Sequence, residues 1–418
     1  MSRCTVFPSS GPRPAGAPPP AGAEHPSGRR RATAVAGLAL LSAAVLASGT
    51  PALAAVRPAA APPTAGTAPL YVSDYTDGTV LRLPADGGPQ TTVPTSGLTR
   101  PTGMTLDAAG NLYICDTGNN QVVKLPADGG PQTTLPATGL SRPVATALDS
   151  AGGLFIADSF NDRVVELPAD GGPQTTVPTT GLLHPEGLAF DAADNLFVAD
   201  FINDRVVEVP AGGGPQRTVP TSGLSQPAGL AFDTAGALYI SDNGNNRVVK
   251  LSAGSGAQST VPTSGLNGPQ GLALDPAGDL FVADFGNDRV VEFPAGGGPQ
   301  RTVPISGLST PVGLAMPPAP APPTAVTAVA RRGEVTVTFT ASTGASISGY
   351  TVTAIDLTDP AGSGRTAQGA GSPITFGGLT PCHSYRFTVT ATNAAGATGP
   401  ASAPSAAVTL PKAPPSGW

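Results

Sequence analysis

The 418-residue chain is 40% apolar and only 12% charged, and its 54 glycines and 48 prolines suit many short strands and tight turns better than long helices. Its formal charge is −6, and beyond residue 54 acidic groups outnumber basic ones 27 to 17, with no basic run and no aromatic–basic interleaving. That balance argues against nucleic acid and anionic membrane surfaces as partners.

Residues 1–54 read as an N-terminal extension and signal peptide. Arg29, Arg30 and Arg31 precede an Ala-rich apolar stretch that ends at Ala52-Leu53-Ala54, the small-x-small pattern of a cleavage site. The apolar stretch falls short of the ~20 residues a membrane span needs, so the expectation is export, cleavage after Ala54 and no membrane insertion afterwards. The exported part would hold only Cys115 and Cys382, which excludes a disulfide framework. A Pro/Ala linker covers 55–68.

From 69 to 316 one unit repeats. Asp74, Asp116, Asp158, Asp200, Asp242 and Asp284 close its LYVSD-type runs at intervals of 42 residues, and Asp107, Asp149, Asp191, Asp233 and Asp275 keep the same spacing upstream. A 42-residue period with four short apolar strands per unit predicts an all-β, six-bladed β-propeller. In the second unit the strands are expected at 102–107, 111–116, 121–126 and 132–136. Inner strands carry Gly103, Ala145, Gly187, Gly229, Gly271 and Gly313, but one period before Gly103 lies Ala61, inside the linker. The first blade therefore lacks an inner strand of its own, and 311–316 is expected to supply it and close the ring. Cys115 falls in the slot of Ser73, Ala157, Ala199, Ser241 and Ala283, which makes it a small packing residue.

A linker at 317–323 leads to alternating strands over 324–411, including EVTVTFTAS and SGYTVTAID, at the spacing of a β-sandwich. Residues 412–418 form a tail.

The pattern P-x-G-L-A-x-D-x-x-G-x-L-Y/F-V-A-D-x-x-N-x-R-V resembles the NHL-repeat family over 69–316. Its phrasing is similar to the extracytoplasmic sensor propellers of bacterial receptor Ser/Thr kinases, which implies ligand binding; no kinase pattern occurs here, so the signalling role is not carried over. Leu379, six residues before Tyr385, resembles the tyrosine-corner region of a fibronectin type III domain, with Phe339 where the core Trp is usual and Cys382 where Gly is common.

A ring of equivalent blades needs identical residues for its architecture, so function is expected where the copies disagree. The Asp ladder, with Asn119, Asn161, Asn203, Asn245 and Asn287 and with Arg163, Arg205, Arg247 and Arg289, reads as turn-tying structure rather than a metal ring. GGGP leads into a strand and lacks the helix of a phosphate loop. The disagreeing positions after each Asp include Tyr75, Phe160, Phe201, Ile202 and Phe285, and those around each repeated Pro include Arg100, Arg142, His184, Glu186 and Gln270. These ten are the candidate ligand-binding residues, on exposed turns of one face, for an extracellular protein, peptide or cell-wall glycan. No cofactor is expected, and the protein is expected to be a monomer. Of His25, His184 and His383 only His184 lies in the repeats, too few for a zinc shell. The expectation is a secreted, non-enzymatic recognition or scaffold protein. The alternative is a lyase or hydrolase using His184 and Glu186 as an acid–base pair.

Overall fold

The computed structural model describes residues 68–331, 333–342 and 346–412; the expected signal peptide lies outside them. Six four-stranded antiparallel sheets follow one another, each a blade. Blade two comprises Pro101–Leu106, Leu112–Asp116, Gln121–Leu125 and Thr133–Thr134 from the channel outward. Its outer strand is shorter than expected. Pro131 and Pro136 flank it, and a residue without an N–H cannot extend a ladder.

Blade one is assembled from both ends of the propeller. Leu70–Asp74 pairs outward with Thr79–Leu83 and inward with Pro311–Ala315, in the register Tyr71↔Ala315 and Val72↔Leu314. The Ser309 N–H donates to Asp74 Oδ2 at 2.7 Å, the Gly313 N–H to Ser73 Oγ at 2.7 Å, and the Tyr75 N–H to the Thr310 carbonyl at 3.0 Å. Leu314 is buried with Leu70, Val72 and Phe281, so the closing strand is part of the core.

The carboxylates that end each second strand are fully buried. Each accepts a backbone N–H from the loop that leads into its blade: Thr99 to Asp116, Ser141 to Asp158, Leu183 to Asp200, Ser225 to Asp242 and Asn267 to Asp284, at 2.6–2.7 Å. The donors thus come from 17 residues upstream, not only from the turn that follows the Asp. Asn203 Nδ2 and Arg205 Nε complete the shell on Asp200, and their equivalents do so in blades three, five and six. Arg163, Arg205, Arg247 and Arg289 also reach the carbonyls of Gly139, Gly181, Gly223 and Gly265. Asp107 and its repeats cap the turn between first and second strands, where Asp107 Oδ1 accepts from Ala109 and Asn111.

A further ring joins the blades at their outer edges. Gln132, Gln174, Gln216, Gln258, Gln300 and Gln90 each accept a backbone N–H from the preceding blade, at 2.8–3.0 Å, and the Ser306 to Gln90 bond closes this ring too. The glutamine that ends GGPQ in five units and GSGAQ in the fifth blade is therefore an interblade clasp. Cys115 is fully buried against Val122 and Ile156, and burial pushes its thiol well above the usual range.

The sandwich pairs Thr324–Arg331, Glu334–Thr340 and Ile374–Gly377 in one sheet, and Arg365–Gly369, Ile347–Asp356, Ser384–Asn393 and Val408–Thr409 in the other. The Tyr385 hydroxyl accepts the Thr380 N–H at 3.1 Å, and Phe339 packs on Tyr350 with ring centroids 4.7 Å apart. The sandwich meets the propeller at the mouth where the inner strands end. There the nearly buried Asn393 donates from Nδ2 to the Pro318 carbonyl at 2.8 Å, and the 393–397 turn lies against the Gly110 turn of blade two.

Deleting 311–316 exposes the edge of Leu70–Asp74 and the core beneath Leu314. The expected outcome is a loss of several kcal/mol, from strand pairing and apolar burial together, read by denaturant unfolding. A truncated chain as stable as the parent contradicts closure by this strand.

Candidate functional site

The inner strands surround a channel of about 1090 Å³. At the mouth remote from the sandwich its wall includes Tyr75, Arg142, His184, Glu186, Phe201, Gln270 and Phe285, seven of the ten sequence candidates. The other three, Arg100, Phe160 and Ile202, are exposed on the rim. The turn aromatics were expected to be uniformly exposed, and they are not. The first residue after each Asp lies inward, so Tyr75, Phe201 and Phe285 are half-buried at the mouth, while Thr117 and Ser159 are buried. The second lies outward, where Phe160 is 51% and Ile202 49% exposed. A short 3₁₀ turn begins right after the Asp and sends successive side chains to different sides.

In blades two to six the residue before the repeated Pro takes a left-handed conformation: φ is 52° at Arg100, 53° at Arg142, 52° at His184, 51° at Gln226 and 59° at Gly268. Its N–H donates across the blade junction, from Arg142 to Asn120 Oδ1, His184 to Asp162 Oδ1, Gln226 to Asp204 Oδ1 and Gly268 to Asn246 Oδ1, at 2.7–2.9 Å. Only Gly268 adopts this φ without strain; a side chain there costs about 1–2 kcal/mol. Four of the five rim positions thus carry side chains at a conformation that glycine adopts more readily. The Arg100 guanidinium carbon lies 5.7 Å from the Tyr75 ring centroid, and that of Arg142 lies 4.9 Å from Phe160. Such stacking fixes long cationic side chains over the mouth.

Glu186 is half-buried in the channel wall, and desolvation pushes its carboxyl up to about 7, while Arg142 and the Ser159 hydroxyl pull the other way. Ser159 Oγ is buried and turned to that carboxyl, whereas Thr146 Oγ1 on the channel wall is buried without a hydrogen-bond partner. His184 does not form the expected acid–base pair with Glu186. Its ring leans on Phe160, with centroids 5.1 Å apart, and the groups acting on Glu186 are Arg142 and Ser159. Among the described residues no group of three or more His, Cys, Asp or Glu is placed to hold a metal ion.

Sequence reasoning missed Thr146 and Leu183, although the repeat carried the signal. Thr146 stands where other blades have Met104, Leu188, Leu230, Leu272 and Leu314. Leu183, 40% exposed, stands where they have Thr99, Ser141, Ser225, Asn267 and Ser309.

These features define a ring-closed propeller with a polar-and-aromatic mouth, joined to a β-sandwich. The NHL repeat model matches residues 98–125, 224–251 and 266–293, and the fibronectin type III model matches 320–408. The chain thus carries NHL repeats followed by a fibronectin type III domain. Among solved structures it is similar to a chain of the crystal structure of a nidogen/laminin complex, with 22% identity and TM-score 0.54 over 60% of this chain and 98% of that one. It is also similar to selenomethionine-substituted virginiamycin B lyase from Staphylococcus aureus, with 15% identity and TM-score 0.46 over 64% and 87%. At these identities the likeness is of fold alone. No curated protein matches the chain. An NHL propeller with a fibronectin type III domain fits a binding or scaffold role, and such domains are typical of extracellular proteins. Among the described residues no helix is long and apolar enough to cross a membrane.

Two measurements check this geometry. Gln226→Gly, which copies Gly268, is expected to stabilise the protein by about 0.5–1 kcal/mol, the left-handed strain relieved less the backbone entropy of glycine. The second concerns Glu186, whose carboxyl titrates higher in the folded protein than in the unfolded chain. Its contribution to stability is therefore fully present below about pH 4.3, the unfolded value, and is lost as pH rises through about 7. Against Glu186→Gln, the parent is expected to lose on the order of 2 kcal/mol between pH 5 and 8; parallel stability profiles contradict the assignment.

Proposed function

We propose that the protein is a secreted, non-enzymatic recognition protein whose open channel mouth binds an extracellular protein, peptide or cell-wall glycan. It acts as a monomer, and the fibronectin type III domain serves as spacer or docking unit. One observation carries this reading. The sandwich meets the mouth at Pro318, while the opposite mouth is left open and gathers the half-buried aromatics Tyr75, Phe201 and Phe285 beside Arg142, Glu186 and Gln270. Half-buried aromatic rings offer large contact area at low entropic cost, and neighbouring polar groups supply orientation. The signal-like segment ending at Ala54 supports secretion.

A second reading has one observation in its favour. A carboxyl poised near pH 7 in a cavity, as at Glu186, suits a general acid or base, which keeps a lyase or hydrolase as the alternative.

The test starts with immobilised protein and cell-wall and culture fractions. The ligand it retains is expected to bind the Phe201→Ala/Phe285→Ala double variant at least about tenfold more weakly, with unfolding still cooperative. Undiminished binding moves the site to another surface. Turnover in a panel of hydrolase and lyase substrates, lost in Glu186→Gln, replaces recognition with catalysis.

A further inference from the structure

Comparing the blades with one another singles out the junction of blades three and four. There Ala145 replaces the inner-strand glycine, Thr146 a leucine or methionine, and Leu183 a hydroxyl or amide residue; Glu186 is the sole charged residue in its slot, shared with Thr102, Val144, Ala228, Gln270 and Val312. At other junctions a Cβ on the glycine would collide with the next blade's carbonyl, as Gly103 with Val144 and Gly187 with Ala228. At this junction Ala145 carries a methyl where the other blades have only hydrogen. The hydroxyls register the difference. Thr117 and Asn243 each donate to the next blade's proline carbonyl, at Pro143 and Pro269, whereas the equivalent Ser159 is buried and turned to the Glu186 carboxyl instead, and the buried Thr146 hydroxyl has no partner. Buried polar groups left unpaired by the chain are costly and demand an explanation.

Three chemically different groups surround these hydroxyls. The Arg142 guanidinium is held over Phe160, and no carboxylate lies within salt-bridge distance of it among the described residues. The Glu186 carboxyl lies inward, near enough to Arg142 and Ser159 to be influenced by both. Among the described residues of the propeller, Phe160, Leu183 and Ile202 are the exposed large apolar side chains; the Ile202 N–H donates to the Leu183 carbonyl at 3.3 Å, and Phe160 lies against His184, the residue next to Leu183.

We propose that this junction binds the free C-terminal residue of a peptide, with its carboxylate on Arg142, its amide N–H toward Glu186, and an apolar side chain on Phe160, Leu183 and Ile202. The proposal rests on the reading of this mouth as a binding face and names its ligand class. A C-terminal residue carries an anion, a donor and a side chain on a single carbon. A fixed guanidinium takes the carboxylate through two parallel hydrogen bonds, as in other modes of terminal capture. The patch receives the side chain, and the Glu186 carboxyl in the channel wall receives the N–H.

The test is fluorescence anisotropy on the full chain with fluorescein-labelled Gly-Gly-Ser-Leu-Phe, as the free acid and as the C-terminal amide. The acid is expected to bind about tenfold or more tightly than the amide, the range of one charge-assisted bidentate contact. Arg142→Gly, tolerated because Gly268 fills the equivalent position in blade six, is expected to bring the acid down to the level of the amide. Leu183→Ser, the residue used at Ser141, Ser225 and Ser309, is expected to weaken both forms alike. Equal binding of acid and amide overturns the proposal, as does an acid preference that survives Arg142→Gly. If that equal binding is lost in the Phe201→Ala/Phe285→Ala variant, the mouth stands as the binding face and only the terminal clamp falls. Failure of both peptides to saturate at millimolar concentration also overturns the clamp, and leaves the mouth to be judged by the ligand retained from cell fractions.

Discussion

Everything in the propeller depends on a buried carboxylate. An aspartate with no solvent exposure is tolerable only if its charge is met by hydrogen bonds on every side. Asp200 meets that condition by drawing in the Leu183 N–H, the Asn203 amide and the Arg205 guanidinium. Each knot therefore ties the loop leading into the inner strand to the end of the second strand and the start of the third. In blade one the same device uses Asp74 and Ser309, which are 235 residues apart, so the local knot becomes the lock of the ring.

The knot also explains where variation is allowed. The buried Asp recurs in every blade, joined by Asn and Arg in blades three to six and by Asn119 and Gln121 in blade two, but the residues just after the Asp and around the repeated Pro project from a fixed frame into the channel mouth or onto its rim. A rigid frame with variable projections separates folding from recognition, so that Glu186 and Phe160 can differ from their repeats without breaking the ring. The cost is local: left-handed side chains at Arg100, Arg142, His184 and Gln226, and an unpaired hydroxyl at Thr146. Blade five to six shows the relaxed version, with Gly268 in the left-handed position and Asn243 bonded to Pro269.

The attachment of the sandwich follows from the same closure. The last strand of the ring runs from the candidate mouth to the opposite one, so whatever follows Ala315 must leave there. Pro318 leaves along that wall and is held by Asn393, which sets the fibronectin type III domain at one end of the channel. The nidogen/laminin structure shares the propeller fold at 22% identity, which speaks to the frame and not to the variable mouth.

By itself the sequence determined the blade count, the closing strand, the packing role of Cys115 and the structural role of the Asp, Asn and Arg ladders, because each is a repeated position whose meaning is read by comparing the chain with itself. It also selected most of the mouth: Tyr75, Arg142, His184, Glu186, Phe201, Gln270 and Phe285 all line the channel. Only the tertiary structure decided which way each projects and what it meets. Two adjacent residues after an Asp point to opposite sides of a 3₁₀ turn, and neighbours across a blade junction lie some 20 to 40 residues apart in sequence, as with Phe160 and His184 or Thr102 and Val144. The glutamine clasps and the unpaired hydroxyl of Thr146 were hidden for the same reason. A hydrogen-bond partner supplied by the next blade has no local signature, and its absence has none either.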